Sequence, residues 1–133
     1  MPINKIEVIV DALGRLNGCP NDPSSEAYKL RNPLMLKSYA RMGKHEVTVE
    51  GVRIFTSFLS GYKAACFDVE LKLKGQSRAN VKSDSGLDQL LLCYGIKTAV
   101  AIDNVVNFIR RALSDDSITR HTLCNYFLES KAE

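Results

Sequence analysis

The sequence predicts a mainly α fold, a single-domain helical bundle in which short helices surround one long helix over about residues 49–74. Three observations predict it. An apolar stripe runs at helical spacing through the middle of the chain, further segments repeat that period between glycine, proline and capping residues, and 133 residues at 45% hydrophobic composition suffice for one core burying roughly two-thirds of the unfolded surface.

The first helical face is Ile6, Ile9, Val10, Leu13 and Leu16. It stops at Gly18, and Pro20 and Pro23 prevent continuation. Asp22 followed by Pro23 has the form of a cap and first-turn proline for a short helix to about Arg31, which Asn32 and Pro33 break. Leu34 to Met42 then reads as another short helix ending at Gly43.

The long helix rests on Val52, Phe55, Leu59, Tyr62, Cys66, Val69 and Leu73, an alternating three-four spacing. Thr48 can cap it and Gly75 can end it, giving about 25 residues and about 38 Å. A β-hairpin within 47–74 is the alternative. Phe67, Val69, Leu71 and Leu73 alternate with Asp68, Glu70, Lys72 and Lys74 in the manner of a half-buried strand, for which Val47 to Phe55 would be the partner. The unbroken stripe and the Glu70–Lys74 spacing favour the helix.

Gln76 to Gly86 is polar and reads as a loop. Leu87, Leu90, Leu91 and Tyr94 make a compact helix closed by Gly95. Thr98 can cap a helix whose Ile102, Val105, Val106, Ile109 and Leu113 face a core while Asp103, Asn107, Arg110 and Arg111 face outward. A last helix is expected over about Thr119 to Glu129.

No apolar run approaches the roughly 20 residues of a membrane span, and the N-terminal residues lack a secretory pattern. Cys19, Cys66, Cys93 and Cys124 are too far apart for a zinc knuckle or a redox dithiol, so four free thiols in a reducing, cytoplasmic setting are expected. Metal and cofactor sites are not indicated. The only imidazoles are His45 and His121; His121 and Cys124 have i,i+3 spacing, but a terminal helix with one packed cysteine accounts for them as simply. Asp115 and Asp116 read as helix-boundary residues. The chain contains no phosphate-cradling glycine loop, nucleophile elbow or zinc helix motif, and no enzyme is expected.

Charge is the feature that points to a partner. Ala27 to His45 is free of acids and carries Lys29, Arg31, Lys37, Arg41 and Lys44; Leu71 to Lys82 is also acid-free and carries Lys72, Lys74, Arg78 and Lys82. These nine are half of the 18 basic residues, leaving nine against all 15 acids elsewhere, so a net +3 conceals a polarised chain. Tyr28 and Tyr39, interleaved with the first stretch, offer stacking surfaces. The expected function is that of a non-enzymatic accessory protein that contacts a nucleic-acid backbone, RNA ahead of DNA, through both stretches.

Two alternatives accompany that expectation. One is a protein-protein adaptor or assembly subunit, with self-association through the long stripe as one form of it. Stretches paired locally with acids would favour this reading, and one continuous positive groove would favour nucleic acid. The other is a helix-turn-helix DNA-binding protein using residues 87–113, whose second helix would present Asn104, Asn107, Arg110 and Arg111.

Overall fold

The computed structural model describes residues 4–37, 47–48 and 50–128. Among these residues the chain is mainly helical, with α1 at Lys5–Leu16, α2 at Glu26–Leu30, α3 at Phe58–Leu73, α4 at Leu87–Cys93 and α5 at Ala99–Leu113. A 3₁₀ helix, Cys124–Leu128, follows. No helix among the described residues is long and apolar enough to cross a membrane.

Local chemistry sets most boundaries. The Asn4 side chain caps α1 by accepting from the amides of Ile6 and Glu7. Thr98 caps α5 through the Ala101 amide, and Ser114 ends that helix in the left-handed region. Asp22 does not begin α2, because its carboxylate accepts from the Ser24 amide and hydroxyl. Ser25 caps α2 instead, accepting from Tyr28.

The long helix is shorter than the stripe implies. α3 has 16 residues, about 24 Å, and starts where Ser57 and Ser60 form a reciprocal capping box. Thr48 spends its hydroxyl closing a turn with the Val52 amide, and Gly51 sits at φ +83° within it. Val52 and Phe55 are buried as the stripe implied, but from extended backbone that forms isolated antiparallel bridges, Lys37 with Val52 and Val47 with Arg53. The strand alternative fails over 67–73, which is helical and carries the i,i+4 ion pairs Asp68–Lys72 and Glu70–Lys74.

Two other expected helices differ. Residues 33–34 form a turn, Met35 has φ +55° and Lys37 lies in a bridge, so no helix begins at Leu34; residues 38–46 lie outside the described set. Thr119–Leu123 is not helical because it is tied to the start of α4, with the Leu87 amide donating to Thr122 and the Asp88 amide to Arg120. Helical structure begins only at Cys124 and is 3₁₀.

One hydrophobic cluster joins these elements. α1 contributes Ile9, Val10 and Leu13, α3 contributes Ala65, Val69 and Leu73, α4 contributes Leu87, Leu90 and Leu91, and α5 contributes Val105, Val106, Ile109 and Leu113. α1 packs on α3, α5 and the 3₁₀ helix, whereas α3 packs on α1 and the 3₁₀ helix. α1 thus packs closely against three other elements.

A buried polar knot organises the irregular part. Asn32 is fully buried; its amide nitrogen donates to the carbonyls of Leu36 and Arg53, and its side-chain oxygen accepts from the Leu36 amide. The adjacent Arg31 carbonyl lies so close to α3 that a Cβ on Gly61 would fall 1.8 Å from it. Glycine at 61 is what allows the end of α2 to rest on α3.

Candidate nucleic-acid interface

The first basic stretch is carried by α2 and the Asn32 knot. Lys29, Arg31 and Lys37 are exposed. Arg31 ends α2 in the left-handed region at φ 54°, which turns its side chain out beside α3 with the guanidinium 5.8 Å from the Phe58 ring. Tyr28 is half-buried and its ring packs on Phe58 with centroids 5.0 Å apart. The exposed aromatic of this region is thus Phe58, placed between Tyr28 and Arg31. Arg41, Lys44, Tyr39 and His45 lie outside the described residues.

Arg53 joins the region through the structure alone. Its carbonyl accepts from Asn32, its guanidinium lies 4.5 Å from the Phe55 ring, and burial lowers its pKa. An arginine has so high an ordinary pKa that it keeps its charge. Arg53 and Phe58 lie in an acid-free run, residues 51–67, that holds only two cations, Arg53 and Lys63, so charge density does not single them out; the fold of 52–58 against Asn32 and α2 does.

The second stretch divides in two. Lys72 points inward, 13% exposed, with its ammonium 2.6 Å from Asp68 Oδ2 and 4.8 Å from the Tyr94 ring. The Tyr94 hydroxyl donates to the same carboxylate oxygen at 2.6 Å, and burial, then the Asp68 charge, pushes its pKa up. Lys74 pairs with Glu70 across 3.6 Å, both well solvated, a contact worth at most a few tenths of a kcal/mol. Arg78 and Lys82 are exposed and have no ion pair with a described carboxylate.

A closed loop keeps Lys74, Arg78 and Lys82 together. Its ends meet where a Cβ on Gly75, at φ +71°, would lie 3.2 Å from Lys82 Cα, and Val81 is buried beneath it. Ser85 and Ser83 hold its exit, accepting from the amides of Cys124 and Asn125. The first stretch meets α3 at Gly61 and the second leaves it after Leu73, so the two regions lie about 18 Å apart along that axis. That span matches about five base-pair rises of duplex. The described residues thus place two clusters of basic side chains at opposite ends of one helix, the first with Glu26 on the same short helix and Asp22 acting on Lys29.

The α4–α5 pair has the connectivity of a helical hairpin, yet α5 rests mainly on α1. Asn104, Asn107 and Arg111 are exposed, while an Arg110 guanidinium nitrogen donates to Asn107 Oδ1 at 2.9 Å. These side chains sit in the middle and end of α5; its first turn presents Ala99, Val100 and Ala101. Base reading by this motif uses the N-terminal residues of the second helix, and here they carry no hydrogen-bonding side chain.

Among the described residues the groups that nucleophilic chemistry needs do not converge. His121 is exposed with Nδ1 3.9 Å from Asp88, while Cys124 is fully buried and points its thiol at the Gly86 carbonyl. Burial, then neighbouring charges, pushes that thiol up to about 11, so it stays protonated near neutrality. Asp115 accepts from the Ser117 amide and hydroxyl and from Tyr126, which occupies it structurally. Among the described residues no cluster of three metal-ligating side chains occurs. All four cysteines are free. An apolar groove of about 360 Å³ lies between α1, Pro20, Pro33 and the first turns of α3.

Compared with models of known protein families, with curated proteins and with solved structures, the chain matches none.

Proposed function

We propose that this chain is a non-enzymatic accessory protein that contacts the phosphate backbone of a nucleic acid, RNA ahead of DNA, through two basic regions flanking α3. The observation that carries the reading is that Lys29, Arg31, Lys37, Arg78 and Lys82 are all exposed and none forms an ion pair with a described carboxylate. Five such charges displace counterions from a polyanion without first breaking a bond of their own. Lys74 contributes at the cost of a weak solvated pair, whereas Lys72 is already matched by Asp68. Phe58 beside Arg31 supplies a stacking face for an unpaired base.

The test is fluorescence anisotropy of a labelled single-stranded RNA and of a DNA duplex at two salt concentrations. Five phosphate contacts on a single strand predict an affinity loss of about 100-fold between 50 and 200 mM salt, with little dependence on base sequence. Absent binding, or binding that ignores salt, overturns the reading.

A second reading has its own observation. Apolar side chains stand exposed on α3, Leu59 and Phe67 among them, and the groove beside Leu59 is lined almost wholly by carbon. Such a surface favours an adaptor or assembly subunit. Capture of a defined protein partner with no retained nucleic acid would select it.

A further inference from the structure

α3 is apolar on two sides. Gly61, Ala65, Val69 and Leu73 face the core, while the opposite side carries Ser60, Ala64, Phe67 and Leu71 at four-three-four spacing, with Phe67 62% exposed. Charged residues flank this second strip, Lys63 and Glu70 along one edge and Asp68 and Lys72 along the other, and among the described residues Phe67 stands on it largely uncovered while Ser60, Ala64 and Leu71 are half-buried. The four-three-four spacing is that of a helix-pairing seam.

We infer that this outer face binds a second copy of the chain, with the two α3 helices antiparallel about a two-fold axis between Ala64 and Phe67. Size complementarity sets the direction. Antiparallel pairing puts Ala64 against Phe67 of the second copy and Ser60 against Leu71, so each large side chain meets a small one; parallel pairing sets large on large and leaves Ser60 and Ala64 facing a gap. Charge agrees with size. Lys63, exposed, and Glu70, whose partly exposed carboxylate also meets Lys74 at 3.6 Å, flank the seam on the same side, and the antiparallel two-fold places each Lys63 opposite Glu70 of the other copy, giving two symmetric ion pairs. The helix spans only about 24 Å, so the contact lies at the small end of interfaces and associates reversibly. The pairing also sets the Arg31 end of one copy beside the Arg78 end of the other, but it stands without any nucleic-acid contact.

Sedimentation velocity over about 10–500 µM, the range suited to a small interface, tests this on the full chain. The expected result is a concentration-dependent shift towards twice the chain mass. Phe67→Glu, at a position outside the core, gives a monomer throughout with an unchanged circular dichroism spectrum. Lys63→Glu alone abolishes the shift, and adding Glu70→Lys to it restores the dimer. A wild-type chain that stays monomeric, a Phe67→Glu variant that still dimerises, or a charge swap that fails to restore association overturns the proposal; the last outcome points to a parallel pair or a different face.

Discussion

The two basic regions look alike as sequence and differ in construction. Around Asn32 the cations stand at the end of the short helix α2 and on irregular backbone held by a buried amide, with the guanidinium groups of Arg31 and Arg53 lying near the phenyl rings of Phe58 and Phe55. At the other end of α3 the same density of charge begins inside a helix, where Asp68 and Glu70 sit one turn before Lys72 and Lys74 and take them as partners. Only the loop beyond Gly75 leaves its cations unpaired. An acid-free run in a sequence is thus not an acid-free surface, because helical spacing reaches back four residues past the start of the run.

The largest expected effect comes from removing the support of the first region. Asn32→Ala strips partners from the Leu36 amide and from the carbonyls of Leu36 and Arg53, and should lower stability in urea by about 3 kcal/mol. A loss below about 1 kcal/mol would show that the knot is not what holds this backbone. Gly61→Ala sets a methyl group against the Arg31 carbonyl and should cost about 2 kcal/mol, detectable as a lowered melting temperature.

Smaller effects separate the halves of the second region. Lys72→Met leaves Asp68 with the Tyr94 hydroxyl alone and should cost about 1–2 kcal/mol, while RNA affinity stays the same. Arg78→Glu with Lys82→Glu should do the converse, shifting stability by less than about 0.5 kcal/mol and weakening RNA binding about tenfold or more. If Lys72→Met weakens binding as strongly as the loop pair, the distinction between paired and unpaired cations fails.

The smallest effect is one of pH. Burial, chiefly, pushes the thiols of Cys66 and Cys124 up to about 11 from an ordinary 9.0. A raised folded-state pKa means that the folded chain holds its proton more tightly than the unfolded chain does. The contribution is therefore fully present below pH 9 and is lost as pH rises towards 11. Urea midpoints measured from pH 8 to 11 should fall across that window, and less steeply for Cys124→Ala with Cys66→Ala.

Much of the helical framework was legible. α5 follows from Thr98, its apolar face and its basic last turn, because cap, period and burial all act within one segment. The C-terminal half of α3 follows from its ion-pair spacing for the same reason. The start of α3 was not legible, since Val52 and Phe55 are buried through long-range hydrogen bonds: the Arg53 amide donates to Leu36 and the Phe55 amide to Leu30. A helical period across 52–59 was therefore met by two different structures in succession. In the candidate site, the exposed loop cations were legible as a charge run, whereas the inward turn of Lys72 depends on Tyr94, 22 positions later in the chain, and the roles of Arg53 and Phe58 depend on Asn32 and Tyr28.

The central claim is that both regions grip one nucleic acid. The most direct test is a salt titration of binding to a single RNA by the wild type, Arg31→Glu and Arg78→Glu. Each substitution should weaken binding to every sequence alike and reduce the slope of log affinity against log salt by about 1. A wild-type slope near zero, or a slope that responds at one position and not the other, would contradict the claim.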